Sequence, residues 1–113
     1  MKRDLTVYLD DILESIQRIR EYTKGMDRDE FKTRPQTQDA VLRRLEIIGE
    51  AVKNIPEPVR SNFPKMPWKE IAGMRDVIIH AYFGVNPDQV WETVNENLAD
   101  LEDAVHQIKK NKK

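Results

Sequence analysis

The sequence predicts an all-α protein, an antiparallel bundle of four long helices with short helical turns between them. Three observations carry this prediction. Apolar residues recur at spacings of three and four, as in Leu5, Leu9, Ile12, Ile16 and Ile19. Four prolines crowd between Pro56 and Pro67, and the glycines at 25, 49, 73 and 84 stand alone, so the breaks between helices are few. Charged residues make up 35% of the chain and hydrophobic ones 39%, a balance that suits helices with one apolar face and salt-bridged outer faces.

The first helix reads from about Asp4 to Lys24. Its seam follows a 4,3,4,3 repeat, with Asp4 as N-cap and Gly25 as the stop. Met26 to Thr33 holds one apolar anchor, Phe31, and reads as a short connecting helical turn. Pro35 opens the second long helix, which runs to about Ile55 before Pro56 and Pro58 end it. Its seam is Val41, Leu45, Ile48, Val52 and Ile55, and Gly49 on the edge of that arc suggests close helix contact. Arg43, Glu46 and Glu50 cluster on the other side. Two carboxylates one turn apart read either as an acid–base or metal pair or as a solvated face where Arg43 pairs locally. A third reading makes one of these Glu the counter-charge for Arg75 further on.

Pro56 to Pro67 is loop, with one turn around Val59 to Phe63. Pro67 then starts a third helix, expected to stop near Phe83-Gly84. Asn86-Pro87-Asp88-Gln89 is a helix start: Asn as N-cap, Pro at the first helical position, Gln at the third. The last helix carries Trp91, Val94, Leu98, Leu101, Val105 and Ile108 in an uninterrupted 3,4 repeat. His106 lies off that seam and reads as a surface residue. Lys109, Lys110, Lys112 and Lys113 form a basic tail of the kind that is usually solvated and frayed, with a weak hold on phosphate backbone as the alternative.

At 113 residues, positions 1–113 read as one domain with room for a single core. The formal net charge of −1 does not announce nucleic-acid binding, so any RNA contact must come from a local patch. There is no Cys, hence no disulfide framework and no thiolate metal site. His80 and His106 are too few for a histidine-based zinc site without help from carboxylates or a second subunit, so neither metal nor cofactor is expected. No apolar run approaches the ~18 residues of a membrane span, and the cytoplasm is the expected location.

One stretch departs from plain amphipathic patterning: Gly73 to Tyr82. On a helix of about 100° per residue, Ile71, Met74, Val77, Ile78 and Ala81 form an apolar arc. Arg75 and Tyr82, seven apart, lie in line inside that arc, while Asp76 and His80 stack on the opposite face. Gly73 falls within roughly 20° of His80 and leaves bare backbone where another helix or a ligand comes close. An Arg within an apolar arc needs a partner, because a buried guanidinium without one is very costly. Either an internal ion pair to a Glu on a neighbouring helix supplies it, or a cleft or subunit interface brings an anion. Arg75 and His80 diverge by about 140°, so one straight helix does not aim both at one point, whereas a second copy of the helix brings a second pair nearby.

Arg75, four residues, His80, one residue, Tyr82 resembles the signature of the HepT-like ribonuclease toxins of the HEPN superfamily. The resemblance extends over almost the whole chain, through Gln38–Ala51, the approach Trp68–Asp76 and the segment centred on Trp91. It implies a HEPN-like fold and a homodimer whose two motif helices form one composite cleft. It implies the toxin of a toxin–antitoxin pair, a metal-independent RNA endonuclease with Arg75 and His80 as catalytic residues. The partner it implies is a minimal nucleotidyltransferase antitoxin, MntA-like, that transfers AMP from ATP onto Tyr82.

The residue chemistry agrees with that role. His suits proton transfer near neutral pH, and the Arg fork suits phosphate oxygens. Asp76, one turn before His80, is placed to accept the N–H of one ring nitrogen and fix the tautomer of the other. Many HEPN proteins carry Asn there, and Asp76 adds a negative charge near substrate. Two other classes stay open: a non-catalytic nucleotide- or partner-binding subunit associated with a nucleotidyltransferase, and a purely structural helical dimer.

Overall fold

The computed structural model describes residues 4–80 and 86–111, without the side chains at positions 75 and 77–80. Its helices are α1 (Leu5–Thr23), α2 (Arg28–Lys32), α3 (Pro35–Lys53), α4 (Glu57–Arg60), α5 (Trp68–His80), α6 (Pro87–Glu96) and α7 (Leu98–Asn111). No strand occurs among the described residues. The all-α architecture expected from the apolar spacing is therefore present among the described residues.

Local chemistry sets most boundaries. Asp4 caps α1 by accepting from the Thr6 N–H at 3.2 Å. Past its end, Gly25 takes φ +77°, a left-handed conformation that costs a side chain roughly 1–2 kcal/mol. The connecting turn is a five-residue helix closed by a capping box. Asp27 accepts from Glu30 N at 2.8 Å, and Glu30 accepts from Asp27 N at 3.3 Å. Pro35 stands in the first turn of α3 and Pro87 in the first turn of α6, where Asn86 accepts from Asp88 N at 2.8 Å.

α3 is the central element, packed against α1 on one side and α5 on the other. That position requires apolar residues around much of its girth, and Val41, Leu45, Ile48, Gly49, Ala51 and Val52 are all buried. α7 lies on α1, antiparallel, as two pairings show. Arg20 donates from Nη1 to both carboxylate oxygens of Glu102 at 2.9 Å, and Lys109 meets Asp10 near the other end. α2 bridges α3 and α6, with Phe31 fully buried against Trp91 at a ring separation of 5.3 Å. Arg28 and Lys32 reach Asp88 and Glu92 on the outside of the same contact.

One expectation needs correction. The last helix is not continuous but breaks at Asn97, although the apolar repeat runs through it. Just upstream, Thr93 Oγ1 donates to Gln89 O at 3.0 Å and Asn95 Nδ2 donates to Trp91 O at 2.9 Å. Such side chains compete for carbonyls of the helix and bend it. The break also turns α6 so that Val90 is its buried residue, while Trp91 and Val94 are only half-buried. The bundle therefore has α1, α3 and α5 plus a two-part last arm, rather than four unbroken rods.

Candidate functional site

α5 carries the motif, and a short loop fixes its start. The indole Nε1 of Trp68 donates to Arg60 O at 3.0 Å and to Phe63 O at 3.1 Å. Phe63 stacks edge-on against the same indole, with centroids 6.3 Å apart. Trp68 and Ile71 are buried at 7% and 6% exposure, and Ala72 and Met74 are half-buried. Position 75 lies seven residues after Trp68 and four after Ile71, so its backbone falls on the arc these two residues bury.

Among the described residues, the other face of α5 is open from Lys69 to Asp76. Lys69 and Asp76 are exposed, and Gly73 sits between them on the same side. Among the described residues, nothing lies within 4 Å of where a Cβ at Gly73 would stand. The close approach for which that glycine was singled out therefore does not come from the described part of this chain. Position 80 continues the strip one turn beyond Asp76.

Arg75 and His80 have helical backbone, but their side chains lie outside the described residues, and so does all of Tyr82 and the expected stop at Phe83-Gly84. The pairing of Arg75 with Glu46 or Glu50 lies outside them too. Arg43 meets Glu46 at 3.4 Å on the surface of α3, so local pairing, one of the readings of that cluster, is observed. Among the described residues no three His, Cys, Asp or Glu side chains converge as metal ligands. His106 is exposed, as its position off the seam requires. No helix among the described residues is long and apolar enough to cross a membrane.

Two clefts were not anticipated. A groove of about 510 Å³ runs between α1 and α3, where Asp11, Glu14, Arg43, Arg44 and Glu50 gather above buried Ser15. A second cleft, about 440 Å³, lies at the start of α5 between Arg60, Ser61, Trp68 and Lys69. Neither could be read from helical spacing, because each is formed by residues on two elements.

Residues 12–108 match the family model described as "Ribonuclease HepT-like". A Thermococcus cleftensis protein named "Probable ribonuclease HepT" is 46% identical over 110 residues, 97% of this chain and 100% of that protein. A Methanocaldococcus jannaschii protein named "Gamma-glutamylcyclotransferase and putative RNase" is 47% identical over 108 residues, 96% of this chain. The chain spans only about half of that second relative, 49% of its length. No solved structure is a significant match. With a family model covering most of its length and relatives this similar, the chain belongs to the HepT-like ribonuclease family.

Proposed function

We propose that this chain is the toxin of a toxin–antitoxin pair, a metal-independent RNA endonuclease that works as a homodimer. What supports the reading is the sequence Arg75-x4-His80-x-Tyr82 in a member of a ribonuclease family, on a helix with one arc buried and the opposite strip open. His80 takes the proton of a ribose 2′-hydroxyl, and the freed oxygen bonds to the adjacent phosphorus. The bond from phosphorus to the 5′-oxygen breaks, and that oxygen receives a proton from an acid in the cleft. The products are a 2′,3′-cyclic phosphate and a 5′-hydroxyl. Arg75 holds the charge that develops on the phosphoryl oxygens, where a fork of donors is worth most. Asp76 orients His80 through a ring nitrogen.

The divergence of positions 75 and 80 motivates the dimer, because a second α5 supplies the group that a single helix aims elsewhere. A cognate nucleotidyltransferase silences the enzyme by AMP transfer: the Tyr82 hydroxyl oxygen, losing its proton, bonds to the α-phosphorus of ATP as pyrophosphate leaves, and the phosphodiester so formed blocks the anion site of Arg75. The test is cleavage of RNA by purified protein in excess chelator, for the parent, Arg75→Ala and His80→Ala. Cleavage by the parent, reduced by about 10²–10⁴ in either variant with helicity intact, supports the assignment. A folded variant cutting at the parental rate removes that residue from the mechanism.

A further inference from the structure

Most described arginines are paired. Arg20, Arg28, Arg34, Arg43 and Arg44 each meet a carboxylate. Lys65 and Lys69, which flank the start of α5, are exposed and meet no acid among the described residues. Arg60, on α4, ends at the cleft that Lys69 also lines. Its Nη2 lies 3.1 Å from Glu57, but its Nε is buried and finds no acceptor among the described residues. Glu57 and Glu70 also line this cleft. The Glu57 side chain is 77% exposed, so its pair with Arg60 is a surface ion pair worth little, and an anion with more oxygens can displace it.

From Lys69 the strip of α5, open among the described residues as far as Asp76, leads on along the helix to position 80. At about 1.5 Å per residue, Lys69 and His80 are roughly 16 Å apart along the axis, a span of a few nucleotides of extended strand. The strip is one helix wide, and its far end carries cations where its middle carries Asp76. Single-stranded nucleic acid is held in this manner, by charges that follow the backbone.

We infer that Lys69 and Arg60 at this cleft, with Lys65 on the adjoining one, form a phosphate-holding station that grips the backbone of single-stranded RNA a few nucleotides from the α5 motif and lays the strand along α5. The station rests on the ribonuclease reading above for its ligand. It acts on binding, not on the bonds that change. Removing the two lysines therefore raises KM and leaves kcat unchanged.

The test uses a labelled single-stranded 2′-O-methyl oligonucleotide, which cannot be cut through a 2′-hydroxyl. Its affinity is measured by anisotropy over a salt series for the parent, Lys65→Ala/Lys69→Ala, and a charge-matched control, Arg18→Ala/Lys24→Ala. Each lost phosphate contact lowers the slope of log K against log salt by about 0.7, so the station variant loses about 1.4 and the control loses none. An unchanged slope in the station variant, or an equal loss in the control, overturns the station. If the parent cleaves RNA while the station variant keeps its slope, the station alone falls. If the station variant loses its slope but the parent cuts no RNA, the station stands and the ribonuclease reading falls.

Discussion

Trp68 does more than fill space: its ring is buried, and its N–H bridges two carbonyls from the proline-rich loop. Trp68→Ala should cost about 3–5 kcal/mol and displace the start of α5, seen as a lowered urea midpoint. Ser15 is the opposite case, a fully buried hydroxyl with no hydrogen-bond partner among the described residues. Burying such a group unpaired is unfavourable, so Ser15→Ala should be neutral or stabilising by about 1 kcal/mol in the same measurement. At Tyr82 the expected effect is regulatory. Tyr82→Phe should still cleave RNA but escape silencing by the nucleotidyltransferase with ATP and magnesium. Intact mass should show AMP on the parent only; AMP on Tyr8 or Tyr22 instead would remove Tyr82 from that role. The motif residues drew attention because Arg, His and Tyr stand out against apolar spacing. The two hydrogen bonds of Trp68 were not, since their acceptors are backbone atoms eight and five residues upstream, across a loop whose path no periodicity sets.

Among the elements, α5 balances packing against openness. Gly73 weakens a helix interior by about 1 kcal/mol relative to Ala, and the described residues leave open space where a methyl would go. Gly73→Ala should therefore raise the melting temperature while lowering RNA cleavage, because the added methyl obstructs the strip that substrate or a second protomer approaches. A variant that is both more stable and fully active would mean that nothing approaches that strip. Helix starts and stops were largely legible: Asp4, Gly25, Pro35 and Asn86 act through their own conformations and through bonds within a few residues. The break at Asn97 was not, because the apolar repeat from Trp91 to Ile108 passes through it unchanged. It is the polar side chains of Thr93 and Asn95, bonded back to their own helix, that mark it.

For the whole molecule, α3 gathers α1 and α5 around itself, and Arg20–Glu102 and Lys109–Asp10 fasten α7 along α1. These exposed ion pairs set direction more than stability, at about 1 kcal/mol or less each. The apolar seams of α1 and α3 foretold this core almost residue for residue. Which helices adjoin was less legible, since a seam says that a face is covered but not by what. A dimer through α5 and α3 should sediment at twice the monomer mass at micromolar concentration, and a monomer there would remove the composite cleft. The most direct measurement of the central claim is the mass of the products from a defined RNA cut in excess chelator. The parent should leave a 2′,3′-cyclic phosphate and a 5′-hydroxyl, and His80→Ala should leave the RNA whole. Cleavage that appears only when a divalent metal is added, or that His80→Ala performs at the parental rate, would contradict it.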